Sequence, residues 1–314
     1  MRNRIGIIGA GQVGAEAANA LLHNDTCDVE LIDINEGVAR GKALDLSHCS
    51  SLRKSSAAIT GASDFSALKG CSVLVITAGL PRKPGMSRDD LLLVNLRIVA
   101  EVCSQCLRYA PDAVWIMVTN PLDAMTYAAW KLSGKAPATV LGMAGALDAA
   151  RFKWLLARQC KVSADVVQAV VLGSHGELMV PLVRFATVAG IPAVALLGEP
   201  AMQDIVRQTA NAGNELVSLL QSGSAYYAAG SAIAGMVEAV VYDTHQVICS
   251  SVLCRKEYGL GGVFIGVPVV LGAAGVERVV ELDINKEERE AFGKAADHVR
   301  NMQRAVDRFL DFPG

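Results

Sequence analysis

The sequence predicts an α/β protein, with a doubly wound parallel sheet in its first half and a smaller α+β arrangement in its second. Three observations point there. Short β-branched runs alternate with helical patterns through the first 145 residues, and connections that long join parallel strands, which a tight turn cannot do. Those runs are apolar nearly throughout, as when helices cover both faces of a sheet. After "TVLGMAG" the pattern changes, and some strand runs lie close enough to fold back as antiparallel hairpins.

In chain order, "RIGIIGA" reads as a strand and "QVGAEAANALLHN" as a helix with apolar residues at three-to-four spacing. "DVELIDI" is a strand, "EGVARGKALDLSH" a helix, and "AAIT" a short strand. "SVLVITA" is followed by a long helical pattern over 87–109 and by the strand "AVWIMVTNP". In the second half, helices are expected over 148–159, 201–221 and 227–241, with strands "VVQAVVL", "VPLVRFATVAG" and "VFIGVPVVL". A charged amphipathic helix over 286–310 closes the chain. The expected division is 1–145 and 146–314, with no low-complexity linker and a cleft between the parts.

Composition excludes several classes. A formal net charge of −2 gives no general attraction to nucleic acid or anionic membranes, and 5% aromatic residues leave little for base stacking. No uncharged run of about twenty apolar residues suggests a membrane span. The opening "MRNRIGIIGAG" enters an apolar run at once without a leader pattern, so a soluble, cytoplasmic protein is expected. Eight cysteines scattered through apolar stretches suit a reducing compartment. Cys103 and Cys106 form a CxxC, but in mid-helix rather than at the helix N-terminus where a thiolate is stabilised. Nor is there a second pair at zinc-ligand spacing, so they read as buried structural cysteines and no metal site is expected.

"GAGQVG" carries Gly9-x-Gly11-x-x-Gly14, and here the motif has its context: a strand before it, a helix after it, and Asp33 at the end of the next strand. In this Rossmann arrangement the first glycine permits the tight turn, the second lets a pyrophosphate approach, and the third lets helix and strand pack closely. Gln12 and Val13 then open the helix whose unpaired N–H groups face the phosphates. A carboxylate at Asp33 accepts the ribose hydroxyls and repels a 2′-phosphate, which selects NAD over NADP.

A second constellation is spread along the chain. His175 lies in Gly173-Ser174-His175-Gly176 just after an apolar strand, and Asp148 and Arg151 stand at i and i+3 at a helix start. Alone, the histidine reads as a surface or satisfied core residue and the pair as a surface ion pair. Together they suit hydride transfer to a ketone: histidine supplies the proton, an aspartate fixes its tautomer, and arginine grips a carboxylate. The loop "GLPRKPGMSR", dense in proline and glycine, adds Arg82, Lys83 and Arg88.

In their order and spacing, "IGIIGAGQVG", "LIDI", "ITAGLPRKPGMSRDDLL", "VTNPLDAMT", "LDAARF", "GSHGELMVPL", "GSAYYA" and "GVPVVLG" resemble the 2-hydroxyacid dehydrogenases, the family of malate and L-lactate dehydrogenases. The resemblance covers essentially the whole chain and is nearest to the lactate-dehydrogenase-like bacterial malate enzymes. It implies that His175 is the proton donor and acceptor, Asp148 its partner, and Arg151 the grip on the 2-oxo acid carboxylate. It implies that Arg88 polarises the carbonyl from a mobile loop, 80–90, that closes over the substrate. Asn120 would contact nicotinamide ribose and substrate, with Asn95 and Thr119 beside the cofactor. Arg82 matches the discriminating position, where lactate-specific members typically carry glutamine and malate-specific members arginine. The implied reaction is therefore the reversible NAD-dependent oxidation of (S)-malate to oxaloacetate, in the tricarboxylic acid cycle, by a homotetramer or a homodimer.

Two departures from the family pattern are Glu177, where aspartate is usual, and Ala228, beside the tyrosine pair where proline is usual. The apolar stretches 17–22 and 233–241 are candidate subunit interfaces. The competing readings are an L-lactate or other 2-hydroxyacid dehydrogenase, and a non-catalytic NAD-binding sensor or scaffold.

Overall fold

A computed structural model of the chain describes residues 2–81, 88–176, 178–221 and 223–311. The first half forms β1 (Arg4–Ile8), α1 (Gln12–His23), β2 (Asp28–Ile32), α2 (Glu36–Arg53), β3 (Ile59–Ala62), β4 (Val73–Ile76), α3 (Arg88–Tyr109), β5 (Val114–Met117), α4 (Leu122–Ser133) and β6 (Val140–Gly142). The second half adds α5 (Gly145–Cys160), β7 (Val167–Gln168), β8 (Val171–Gly173), β9 (Met179–Pro181), β10 (Thr187–Val188), β11 (Ile191–Pro192), α6 (Ala193–Leu197) and α7 (Glu199–Leu220). It ends with α8 (Tyr227–Val241), β12 (Gln246–Cys254), β13 (Val263–Gly272), β14 (Gly275–Val279) and α9 (Lys286–Asp311).

Strands β3-β2-β1-β4-β5-β6 lie side by side in that order, all parallel. This is the doubly wound order, in which the chain reverses direction across the sheet between β1 and β4 and leaves a crevice at the strands' carboxyl ends. Burial explains the apolar runs: Val73, Leu74, Val75 and Ile76 of β4 are all inaccessible, because helices cover both faces.

The sheet does not end with β6. Ser251 of β12 pairs with Gly142, β12 and β13 run antiparallel over their full length, and β8 and β9 continue the same sheet. The apolar core follows, with Ile5, Ile7 and Val29 in one cluster with Val252, Ile265 and Val267.

Several expectations need correction. "VVQAVVL" is two strands: β7 belongs to a small sheet with β10 and β11, whereas β8 joins the main sheet. "VPLVRFATVAG" is broken by a 3-10 turn at Val183–Phe185 between β9 and β10. The stretches 17–22 and 233–241 are not free faces. Ala17, Ala18, Leu21, Ile233, Met236 and Val237 are buried within the chain, where α1 packs on α8. Cys103 and Cys106 are buried and unpaired in α3; burial pushes the Cys103 thiol up to about 12 and that of Cys106 higher still. No helix among the described residues is long and apolar enough to cross a membrane.

Gly230 makes the α1–α8 approach possible. A Cβ there would lie 2.8 Å from the Ala17 nitrogen and 2.7 Å from Glu16 Cγ. Gly230→Ala is expected to lower Tm, because overpacking against backbone costs about 1–3 kcal/mol and outweighs the gain of about 1 kcal/mol from alanine in a helix. A variant melting at or above the parent temperature would show that the helices separate freely.

Candidate active site

The glycine turn sits at the end of β1. Gly9 has φ of +108°, and a Cβ on it would meet Thr77 Oγ1 at 2.6 Å. A Cβ on Gly14 would meet the Gly9 carbonyl oxygen at 2.0 Å, whereas one on Gly11 would meet nothing within 4 Å. The first and third glycines are therefore demanded by packing, and the second keeps a space open. Gly11 is also the N-cap of α1, whose first turn, beginning Gln12-Val13, holds no acidic side chain to compete with an anion. These features fit a dinucleotide's diphosphate.

The turn is held from three sides. Thr77, just past β4, donates its hydroxyl towards the Ile8 and Gly9 carbonyls at 3.1 and 3.0 Å. Lys42 of α2 donates to the carbonyls of Ala10 at 2.7 Å and Gly11 at 3.1 Å. Asp33 accepts the Ala10 N–H at 2.8 Å and the Asn35 N–H at 2.9 Å. The Asp33 carboxylate is thus fixed beside the turn, with lone pairs remaining for ribose hydroxyls. Sequence reasoning missed Lys42 and Thr77. It also took Ile34 into the strand, whereas β2 stops at Ile32 and Ile34 is 97% exposed beside Asp33.

The ends of β4 and β5 carry the next group. Thr119 donates to the Ala78 carbonyl at 2.7 Å, tying the two strand ends together. Asn95 of α3 is 0% exposed and wholly engaged with backbone. It accepts the Leu80 N–H at 2.8 Å and donates to the carbonyls of Leu80 at 3.1 Å and Asn120 at 2.7 Å. It braces Leu80, at the root of the 80–90 loop, and Asn120. Asn120 itself is exposed. Arg82 and Glu177 lie outside the described residues, as does most of the 80–90 loop; Arg88 opens α3, and its side chain is likewise outside. Ala228 falls in the first turn of α8.

Two side chains meet on the Asp148 carboxylate, one from its own helix and one from a distant loop. Asp148, in the first turn of α5 and 1% exposed, accepts Arg151 Nη1 on one oxygen at 3.1 Å and faces His175 Nδ1 with the other at 2.9 Å. Its partners are only 16% (Arg151) and 18% (His175) exposed. With Nδ1 turned to Asp148, Nε2 is the ring nitrogen left to exchange a proton. Desolvation lowers the His175 pKa, but the charge and hydrogen bond of Asp148, joined by the charge of Asp123, outweigh it and hold the pKa above the ordinary histidine value. Arg151 gives Asp148 one hydrogen bond from a guanidinium with five donors, so others remain for a substrate carboxylate.

Asp123 is a third residue that sequence reasoning passed over, although it stands in the quoted "VTNPLDAMT". Its one visible signal was a carboxylate in a run otherwise suited to burial. Elsewhere, Asp243, His245 and Glu277 form an exposed cluster of metal-capable side chains. The histidine meets Glu277 through Nδ1 and Asp243 through Nε2, so no single ring nitrogen faces both carboxylates.

Comparison with known proteins matches the chain from end to end. Residues 3–142 match the NAD binding domain of the lactate/malate dehydrogenases, and residues 145–309 match their alpha/beta C-terminal domain. The malate dehydrogenase of Rhodopirellula baltica is 45% identical over 311 residues, 98% of this chain and 99% of that one. The apo malate dehydrogenase of Picrophilus torridus superposes with a TM-score of 0.97 at 40% identity, covering 100% of both chains. A Cryptosporidium parvum lactate dehydrogenase, solved with lactic acid and nicotinamide adenine dinucleotide, gives 0.94 at 36% identity, covering 98% of each chain. With both of the family's domains matched along its length, and a glycine turn shaped for the dinucleotide they bind, this chain belongs to the lactate/malate dehydrogenase family of NAD-dependent oxidoreductases.

Proposed function

We propose that the enzyme interconverts (S)-malate and oxaloacetate, with residues 1–145 holding the cofactor and 146–314 carrying the substrate chemistry. The observation that carries this reading is the single buried carboxylate of Asp148 gripping both His175 and Arg151. NAD, when bound, takes or supplies the hydride. In the reductive direction His175 gives the Nε2 proton to the oxygen that becomes the malate hydroxyl, and in the oxidative direction it takes that proton back. Asp148 keeps the ring in the required tautomer and stabilises the imidazolium. Arg151 binds the carboxylate next to the reacting carbon, and Arg88 polarises the carbonyl. Asn120 contacts nicotinamide ribose and substrate, with Asn95 and Thr119 holding the strand ends beneath. Gly9, Gly11, Gln12, Val13 and Gly14 cradle the diphosphate, and Asp33 binds the adenosine ribose.

Arg82 decides the substrate. Its cation answers the second carboxylate of oxaloacetate, which pyruvate lacks. The 45% identity to a malate dehydrogenase supports malate, whereas the likeness to a lactate dehydrogenase at TM-score 0.94 means the fold alone is indifferent. A cytoplasmic place in the tricarboxylic acid cycle accompanies this reading. So does assembly as a homotetramer or homodimer, for which the exposed Leu44 and Leu52 of α2 replace the buried stretches 17–22 and 233–241 as the apolar surface.

Four variants test the assignments. His175→Asn is expected to cut turnover by about 10²–10⁴-fold while NADH binding survives; near-normal turnover would remove His175 from acid–base chemistry. Asp33→Ser should raise the use of NADPH relative to NADH, and a parent enzyme already preferring NADPH would contradict the ribose assignment. Arg82→Gln should lower the oxaloacetate-to-pyruvate ratio of kcat/KM. An unpaired buried charge costs about 3–5 kcal/mol, or roughly two to four powers of ten at about 1.4 kcal/mol each. Arg88→Gln should slow both substrates alike. Equal losses on both substrates in Arg82→Gln would return the enzyme to the wider family.

A further inference from the structure

Asp123 has no part in the reaction just described, yet it is built into the site. It is the second residue of α4 and 1% exposed. Three donors converge on its carboxylate from two other segments. Ser251 Oγ of β12 donates to Oδ1 at 2.7 Å, and Ser174 Oγ and the His175 N–H donate to Oδ2 at 2.8 and 3.2 Å. One carboxylate therefore joins α4, β12 and the loop that presents the catalytic imidazole.

The company it keeps matches an anion. An ionised carboxylate only accepts, and all three contacts are from N–H or O–H groups. No lysine or arginine among the described residues pairs with it. A buried carboxylate without a cation is costly, and His175, whose charge acts on Asp123, is a group able to become one. We propose that Asp123 is a positioning residue for His175, a second buried carboxylate that seats the histidine loop by its backbone and favours the protonated imidazole by its charge. This rests on the acid–base role of His175 proposed above.

Asp123 and His175 each act on the other's charge. Burial holds the Asp123 pKa above the ordinary carboxylate value, although the two serines, the charge of His175 and its N–H all oppose that rise. The charge of Asp123 in turn helps to raise His175. Other groups facing the imidazole are Asp148, which favours its charged form, and Arg151, which opposes it, both from α5. From β12, Cys249 faces Asp148 as a neutral thiol, pushed up to about 11 by burial. When ionised, Asp123 is a negative group acting on His175 from a different helix than Asp148 does.

Asp123→Asn is a clean test, because the amide keeps the shape and all three hydrogen bonds. Its oxygen accepts from Ser174 and His175, and its NH₂ donates to a rotated Ser251 hydroxyl. The ring titration of His175, followed by NMR in the protein without substrate, should move to lower pH by about one unit. The fall of kcat/KM for oxaloacetate at high pH should move down with it, while NADH affinity stays. An unchanged titration would overturn the proposal. Ser174→Ala removes one hydrogen bond but keeps the charge, so its midpoint should stay near the parent's. A shift as large as that of Asp123→Asn would overturn the proposal by assigning the effect to loop displacement. Should Asp123→Asn fail to fold, Asp123→Ser takes its place: it also removes the charge and should lower the His175 midpoint, and an unchanged midpoint would overturn the proposal. Because the ring titration needs no turnover, its failure is distinguishable from a failure of the acid–base role, which His175→Asn reports.

Discussion

A buried carboxylate must be compensated, and Asp148 is compensated by two groups at once. Its position on the first turn of α5 lets Arg151, one turn on, reach one oxygen, while the histidine loop after β8 reaches the other. The second contact arises only because α5 packs against the strand that leads into the histidine loop, and α5 does lie against β8 and β12. Much of the second half can be read as support for this meeting. The same compensation has a linkage consequence. A histidine whose folded pKa is raised contributes stability below its unfolded pKa, and that contribution fades as pH rises through the raised value.

The glycine turn poses the opposite problem, that of keeping a space empty. Gly9 and Gly14 fit because anything larger strikes backbone or Thr77, and the resulting tight turn leaves Gly11 facing open space. Lys42, Thr77 and Asp33 lock the turn through its own peptide groups, so the cradle does not depend on a ligand for its shape. A preformed site of this kind binds without first having to order its backbone.

The first half was legible in the sequence because parallel strands buried on both faces leave continuous apolar runs, and because Gly9, Gly11, Gly14 and Asp33 sit at fixed distances. His175, Asp148 and Arg151 were legible through chemistry and family resemblance, and the fold brings them together. What escaped has physical reasons. α4 is helical but almost wholly buried, so it shows no polar face, and Asp123 went unnoticed within it. β7 and β8 share one apolar run because nothing in hydrophobicity tells a strand where to change sheets. The buried stretches 17–22 and 233–241 are apolar for each other rather than for a second copy, a distinction that only the packing of α1 on α8 reveals. The sequence did not show that the Asn95 amide is spent on the backbone of Leu80 and Asn120, where a buried amide is worth most because backbone groups need partners.

The continuous sheet carries a consequence for how the molecule comes apart. Ser251 and Gly142 join the parallel strands to the antiparallel ones, and the apolar cluster on one face runs across that join without interruption. Two lobes with separate cores would melt independently. Here, exposing either half strips water-excluding cover from the other, so the dinucleotide cradle and the histidine loop are expected to persist or vanish in one cooperative step. The pair of binding functions then shares a single thermodynamic fate.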